Sequence, residues 1–212
     1  MRIYTRKGDD GTTGLLYGGR VGKSSSRIEL NGVIDEAQAA LGSARAESTP
    51  GSELDELLVV LERELYVLMA EVATAAANRR KLVAGESLVT EQMVHRLEEW
   101  IDRLGERFPL PTEFVLPGAN RAAAALDVAR TVVRRAERVL ASMGPLDAEA
   151  GEAETAEASH VEPSHAQRSR AEASRVGPYL NRLSDLLWTM ARWQEGEVHL
   201  PARARPRRAR AD

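Results

Sequence analysis

The sequence predicts an all-α protein, and three observations support this class. Only 4% of its 212 residues are aromatic, whereas 43% are hydrophobic, and alanine and leucine dominate that fraction. Small and unbranched side chains favour packing of helix on helix over a sheet, whose strands are rich in β-branched and aromatic residues. Several segments also repeat apolar residues at helical spacing. Because no linker interrupts the middle of the chain, one domain is expected.

Composition also excludes several kinds of site and partner. The chain has no cysteine, which removes disulfides, thiolate nucleophiles and cysteine-ligated metals. Its net charge of −3 argues against general binding of nucleic acid. The sequence shows no apolar run of membrane-spanning length, and the N-terminus lacks the apolar core of a signal peptide. We therefore expect a cytoplasmic protein that does not contact a membrane.

The N-terminal residues 1–26 are predicted to be irregular and rich in glycine. Six glycines alternate with threonine, lysine and arginine over this segment. Glycines let several N–H groups point at one ligand, and lysine and threonine add charge and hydroxyl donors, as a phosphate-binding loop requires. The match to a P-loop fails because Tyr17 stands at the first glycine position and no buried strand precedes it. A glycine-rich surface turn is the alternative.

The first three predicted helices carry apolar stripes that indicate a core. Helical spacing predicts them over 26–47, from Ser52 onward and over 90–107, with Ser52 as the N-cap of the second. Asp35 lies beside the stripe of the first helix, where an acidic residue is usually solvated unless a cation meets it. His95 in the third helix has no second histidine one turn away, so no metal site is expected.

Prolines and a glycine then bracket a short segment, 112–116, that cannot join a helix on either side. Its Phe114 is one of only two phenylalanines in the chain. Two interpretations stay open. Phe114 either fills a gap in the core or forms an apolar wall for a flat ligand.

The fourth predicted helix, from about residue 119 to Met143, carries a row of arginines. Arg130, Arg134 and Arg138 recur every four residues and therefore lie on one face. Like charges at this spacing are unfavourable, so the row indicates either a bound anion or a carboxylate placed opposite by another part of the fold. The alternative is a solvated face on which Glu137 is the local ion-pair partner.

Residues 146–177 differ in composition from the rest of the chain. They are rich in alanine, glutamate and serine and contain no aromatic residue. Such a segment buries too little apolar surface to offset its ordering entropy, which predicts a flexible insertion between the fourth and fifth helices. Residues 201–212 carry five arginines and are predicted to be a disordered basic tail, either solubilising or in contact with a polyanion.

The fifth predicted helix runs from Pro178, a residue favoured at the first helical position, to about Glu195. One side of it is apolar. Asn181, Asp185 and Trp188 share another side at spacings of four and three residues. A polar and aromatic face of this kind indicates a partner surface or the wall of a site.

Three motifs, taken in order, closely resemble those of the PduO-type ATP:cob(I)alamin adenosyltransferases. They are IYTRKGDDGTT at 3–13, RTVVRRAER at 130–138 and YLNRLSDLL at 179–187, with VIDE at 33–36 and FVLPG at 114–118 between them. The resemblance covers roughly 3–143 and 178–195. It implies a single adenosyltransferase domain over 1–200, folded as a five-helix bundle of ferritin-like up-down topology. It also implies a homotrimer with active sites between neighbouring subunits.

The resemblance further implies roles for single residues. The ATP-binding residues would be Thr5, Arg6, Lys7, Gly8, Thr13, Gly14, Lys23, Arg134, Arg135, Glu137, Arg138 and Asn181. Arg134, Arg130 and Asp35 would be catalytic, with Asp35 and Arg130 paired across the subunit boundary. Phe114 would lie on the lower face of the corrin ring and displace the axial base of cobalamin, which makes cobalt four-coordinate and easier to reduce.

The activity implied is transfer of the 5′-deoxyadenosyl group of ATP to cob(I)alamin, giving adenosylcobalamin and triphosphate, with Mg²⁺ bound by the phosphates. Cob(I)alamin is itself a strong nucleophile, so the protein needs no nucleophilic side chain or general base, and the sequence offers no convincing one. A reductase and a B12-dependent acceptor enzyme are implied partners. The alternatives are a non-catalytic carrier of ATP and cobalamin and a helical interaction module that uses the basic tail.

Overall fold

The computed structural model describes residues 3–144, 146, 174–197 and 200–202, and helices make up most of them. The described α-helices are α1 (Ser26–Ala46), α2 (Glu53–Val72), α3 (Glu91–Gly105), α4 (Arg121–Met143) and α5 (Val176–Glu195). A 3-10 helix, Ala76–Lys81, follows α2. The short strands are β1 (Thr12–Gly14), β2 (Arg20–Gly22), β3 (Val115–Leu116) and β4 (Leu200–Pro201). The predicted all-α class is confirmed.

Side-chain caps determine where most of the helices begin. The first four α-helices follow a residue whose side chain accepts a hydrogen bond from the N–H three positions later: Ser25, Ser52, Thr90 and Asn120. The predicted cap at Ser52 is thus confirmed. In contrast, α5 begins at Val176, so Pro178 occupies the third helical position and not the first. The ring is tolerated there because N–H groups of the first turn have no partner within the helix.

Polar contacts between helices give their relative directions. Three pairs of helices are antiparallel, because residue numbers fall along one helix as they rise along its neighbour. The contacts that show this are Asn31–Met69 and Gln38–Glu62 for α1 and α2, Glu53–Arg107 and Glu64–Arg96 for α2 and α3, and Asn120–Gln194 and Glu137–Asn181 for α4 and α5. Residue numbers rise together on α3 and α5, in Glu91–Arg175 and Glu98–Arg182. Consecutive helices therefore alternate in direction along the chain, as the predicted up-down topology requires.

Leucines from all five described α-helices fill the core between them. Fully buried examples, one from each of four helices, are Leu30, Leu58, Leu97 and Leu126. This is the amphipathic packing that the helical spacing predicts. None of the described helices is both long and apolar enough to span a bilayer.

One buried carboxylate joins three helices. The hydroxyl of Tyr179 in α5 donates to Glu64 of α2 at 2.5 Å, and Arg96 of α3 pairs with the same carboxylate. Burial raises the pKa of Glu64, while these two partners oppose that rise. Loss of either partner would leave a buried acid incompletely paired, so this cluster helps to fix how α2, α3 and α5 pack.

The described residues at the edges of the predicted insertion and tail differ from the sequence-based expectation. Most of the predicted insertion and of the basic tail, namely 147–173 and 203–212, lies outside the described residues. Leu146, assigned to the insertion, is instead 1% exposed. Val176 and Gly177 belong to α5. At the C-terminus, Pro201 is part of β4, which pairs with β3, so the predicted tail boundary at 201 is wrong.

Candidate functional site

Part of the glycine-rich segment predicted to be irregular forms a hairpin. β1 pairs antiparallel with β2, and Thr12 lies opposite Gly22. Arg20 ties the hairpin to the preceding turn: its Nε donates to Thr12 Oγ1 at 3.0 Å, and its Nη2 donates to the carbonyl of Lys7 at 2.6 Å. Hydrogen bonds from the side chain and backbone of Thr12 lower the pKa of Asp10, which keeps this turn carboxylate ionised.

Gly8 and Lys23 approach each other closely at this hairpin. A Cβ atom at Gly8 would lie 3.1 Å from Lys23 Nζ and 3.1 Å from the carbonyl oxygen of Thr12. Since a backbone carbonyl moves less easily than a flexible lysine side chain, this position favours glycine. The remaining loop residues predicted to bind ATP lie in the same segment: Thr5, Arg6, Lys7, Thr13 and Gly14. Arg6 has a φ of 60°, a conformation that few residues other than glycine adopt.

The hairpin is attached to one end of the bundle. The N–H of Leu16 donates to the carbonyl of Ala73, directly after α2, at 2.8 Å. β2 leads within a few residues to Ser25 and the N-terminus of α1. Lysine and arginine side chains therefore lie close to a helix N-terminus, which carries a partial positive charge. The combination is suited to bind phosphate groups.

The arginine row on α4 is neutralised at one end and open at the other. Arg130 Nε lies 3.0 Å from Asp127 Oδ1 on the same helix. Arg134 and Arg138 are exposed, and Arg138 Nη1 donates to the backbone carbonyl of Arg134 at 3.0 Å. Within the described parts of the chain, the Arg134 guanidinium has no hydrogen-bond or ion-pair partner. Arg135 pairs with Glu36 of α1 and so points to a different neighbour.

Glu137 is the partner of α5 and not of the arginine row. Asn181 Nδ2 donates to Glu137 Oε1 at 3.0 Å, and Arg182 Nη1 donates to Asn181 Oδ1 at 2.5 Å. Arg182 in turn pairs with Glu98, and this contact is the largest cause of the lowered pKa of Glu98. The interpretation of Glu137 as a local ion-pair partner of the arginines is therefore wrong. Glu137 instead holds Asn181 beside α4 through this hydrogen bond.

Phe114 and Arg130 line one cavity of about 880 Å³. The Phe114 side chain is 91% exposed, so the interpretation as a core plug is wrong and that of an apolar wall is retained. Trp188 of α5 lines the same cavity. Two aromatic side chains and a partly buried guanidinium are a lining suited to a large, flat and partly polar ligand.

A buried charge network also lines the cavity, through Asp127, Arg130 and Arg192. Arg192 Nη2 donates to Asp127 Oδ2 at 2.6 Å and to Glu195 Oε1 at 2.9 Å. Arg192 is 3% exposed and Asp127 is 6% exposed. Because Asp127 also contacts Arg130, the two arginines and two carboxylates are collectively neutral. Asp127 thereby links the cavity-lining end of the arginine row to α5.

Sequence patterns leave this network undetected. Trp188 is recognisable as part of a polar and aromatic face, although its role is not. Asp127 and Arg192 lie 65 residues apart, and neither stands in a motif that would bring them together. The only local signal is that Asp127 precedes Arg130 by three residues, the spacing of an ion pair on a helix.

Two groups of predicted site residues do not meet within the described chain. Asp35 is exposed on α1 and has no side-chain partner there. No hydrogen bond or ion pair in the described ranges joins the hairpin to Arg134 or Arg138.

Among the described residues, His95 makes ion pairs only with Glu91 and Glu98 of its own helix. The described residues contain no group of three or more potential metal ligands.

Comparison with known proteins adds independent information. A family model described as "Cobalamin adenosyltransferase" matches residues 3–194. The chain is 40% identical over 195 residues to the corrinoid adenosyltransferase of Citrobacter freundii, covering 92% of this chain and 95% of that protein. It is 37% identical over 191 residues to the corrinoid adenosyltransferase of Mycobacterium tuberculosis, covering 90% and 87%.

Solved structures show the same fold. A phenylalanine-to-alanine variant of the PduO-type ATP:corrinoid adenosyltransferase from Lactobacillus reuteri, complexed with cobalamin and ATP, superposes with a TM-score of 0.74. The two sequences are 26% identical, and the match covers 96% of this chain and 100% of the other. An arginine-to-lysine variant of the enzyme from the same organism, complexed with ATP, gives a TM-score of 0.72 at 25% identity.

Proposed function

Because the chain belongs to the cobalamin adenosyltransferase family, we propose that it transfers the 5′-deoxyadenosyl group of ATP to cob(I)alamin and releases adenosylcobalamin and triphosphate. That it is a corrinoid adenosyltransferase follows from the family. One observation supports the finer assignment most strongly. Phe114 and Arg130 line one cavity, and the open guanidinium of Arg134 follows Arg130 by one turn of α4.

The triphosphate is assigned to the cationic groups of the hairpin and of α4. Gly8 and Lys23 place backbone and ammonium donors together in the hairpin. Arg134 and Arg138 present exposed guanidinium groups, which bind phosphate oxygens in a bidentate manner. Asn181, held by Glu137, borders the arginine row from α5.

The corrin ring is assigned to the cavity. Phe114 and Trp188 are its aromatic walls, and Arg130 supplies charge at its edge. By the family resemblance, Phe114 occupies the lower face of the ring in place of the axial base. The exposed side chain fits that role, because no core contact has to be broken for a ring to pack against it.

The chemistry needs alignment and charge stabilisation more than proton transfer. Cob(I)alamin supplies an electron pair that forms the bond from cobalt to C5′, while the bond from C5′ to the triphosphate oxygen breaks and the triphosphate leaves with that electron pair. Arg134, Arg138 and Lys23 would stabilise the charge that grows on the leaving group, and the walls of the cavity would align cobalt with C5′. Mg²⁺, carried by the phosphates of ATP, would share in this stabilisation.

The proposed reaction is tested by incubating the purified protein with ATP, Mg²⁺ and cobalamin reduced anaerobically to cob(I)alamin. We expect the absorbance of cob(I)alamin to be replaced by that of adenosylcobalamin, with one triphosphate released per corrinoid. Reactions without ATP or without protein are the controls. Persistence of the cob(I)alamin spectrum in the complete reaction would contradict the proposal. A reductase that supplies cob(I)alamin and a B12-dependent enzyme that accepts the product are proposed partners.

We further propose that a neighbouring subunit of a homotrimer completes each site. Three features of the described chain support this. Asp35 is exposed without a partner, Arg134 is open, and the hairpin makes no polar contact with the arginine row. In an assembly, Arg130 would keep its contact with Asp127 and also meet Asp35 of the partner subunit.

Mixing two inactive variants tests the shared site. Asp35→Ala and Arg134→Ala, each alone, are expected to lose most activity. Subunits of the two variants, exchanged and reassembled together, should recover part of it, because some interfaces then combine an intact Asp35 with an intact Arg134. Light scattering verifies the trimer. Failure to recover activity in mixed trimers whose subunit exchange is demonstrated would contradict a site shared in this way.

A further inference from the structure

The loop that carries Phe114 is tethered by the C-terminal segment. β3 pairs antiparallel with β4, with Val115 opposite Pro201 and Leu116 opposite Leu200. The N–H of Ala202 donates to the carbonyl of Phe114 itself at 2.7 Å. The tether therefore reaches the residue that walls the cavity and also its two successors.

Side-chain packing supplies only part of this restraint, through the half-buried Val115. Phe114 is 91% exposed and Leu116 is 48% exposed, so neither is held by the core. Prolines at 111 and 117 stiffen the loop locally, but they do not fix where it lies on the bundle. The hydrogen bonds to 200–202 are consequently the described contacts that reach the Phe114 backbone itself.

The tether also borders the cavity that Phe114 lines. The segment follows α5, whose Trp188 and Arg192 line the same cavity as Phe114, and Ala202 lines it as well. Gly196, with a φ of 60°, reverses the chain after α5. The aromatic residue on α5, the aromatic residue on the loop and the end of the tether therefore belong to one cavity lining.

We propose that Leu200–Ala202 is a positioning strap that holds Phe114 at the cavity wall. The inference rests on the proposed function for the role of Phe114 toward the corrin ring. The strap acts through the backbone of Phe114 and its two successors, and its last residue, Ala202, also borders the cavity. The basic residues after Ala202 are not required for it.

Two truncations and two point variants of the full chain test the strap. Truncation after Glu197 removes the strap and the basic tail, whereas truncation after Ala202 removes only the tail with its five arginines. Ala202→Pro deletes the N–H that donates to Phe114, and Ala202→Gly keeps it. Each pair thus contains a matched control.

Hydrogen exchange without any ligand is the first measurement. Truncation after Glu197 and Ala202→Pro are expected to accelerate exchange of the amides in 112–116 by about fivefold to tenfold, the effect of losing one or two backbone hydrogen bonds. Truncation after Ala202 and Ala202→Gly should leave that exchange unchanged. Equal exchange in the two truncated chains would overturn the strap, whether or not the protein is active.

Assays with both substrates test whether the strap positions Phe114 for the reaction. Loss of the strap is expected to lower kcat by about 10- to 100-fold, as misplacement of one wall of a site does, with an unchanged KM for ATP. The fraction of bound cob(II)alamin that lacks its axial base, read from electron paramagnetic resonance, should fall in parallel. Faster exchange with unchanged kcat and spectrum would overturn the positioning role. Equal losses on removing only the tail would assign the effect to the arginines. Inactivity of the full-length chain would instead contradict the proposed function.

Discussion

Replacement of Arg134 by alanine is expected to lower kcat for adenosylcobalamin formation by about 100- to 1,000-fold, the usual loss for one donor to a developing negative charge. The fold should persist, because the Arg134 side chain is exposed and has no partner in the described part of the chain. Its removal leaves no buried group unsatisfied. Single-turnover absorbance measurements with preformed cob(I)alamin separate the chemical step from product release.

Two further variants make this result specific. Arg121→Ala removes the same charge from an exposed position at the start of α4, and it should keep the rate of the unmodified enzyme. Arg134→Lys keeps the charge but loses the planar pair of donors, so an intermediate rate is expected. An undiminished rate for Arg134→Ala, with both substrates bound, would remove Arg134 from the catalytic residues.

Replacement of Asp127 by alanine is expected to lower the free energy of unfolding by about 3 to 5 kcal/mol, the typical effect of removing one member of a buried ion pair. Asp127 is 6% exposed and bonds to Arg192, which is 3% exposed. Its loss leaves Arg130 and Arg192 without the carboxylate that they share, and Arg192 then keeps only its contact with Glu195 in the described chain. Urea denaturation followed by circular dichroism measures the change.

A surface ion pair provides the comparison for Asp127. Glu53 pairs with Arg103 and Arg107, but its side chain is 39% exposed. Glu53→Ala should therefore cost only about 0 to 1 kcal/mol. A similar cost for the two variants would show that water reaches the network of Asp127. Because Asp127 also contacts Arg130, its variant is expected to lose activity as well, whereas Glu53→Ala is not.

The sequence predicts those parts of the fold that depend on local signals. Ser52 followed by an apolar stripe is sufficient to place the start of α2, since capping and periodicity act over a few residues. The start of α5 is misjudged because proline is accepted anywhere in a first turn and not only at its first position. Composition likewise misplaces Leu146, whose burial depends on the remote packing of the bundle.

The parts of the site that need distant contacts are less accessible from sequence. The arginine row is visible, but whether Glu137 faces Arg134 or Asn181 depends on how α4 and α5 pack. Phe114 allows two opposite interpretations for the same reason. The pairing of β3 with β4 joins residues on either side of α4 and α5, and strands of two residues carry no recognisable pattern.

The arrangement of α4 has a consequence for how this enzyme can vary. Arg130 and Arg138 are separated by eight residues, or about 12 Å of helix rise, and the helix is clamped to α5 through Asp127 and Glu137. Under the proposed assignment of the two substrates, α4 therefore sets the distance between the corrin ring in the cavity and the triphosphate. Deletion of one residue between the clamps would rotate everything beyond it by about 100°. Substitutions there can be graded in effect, but a change of length would put the two substrates out of register.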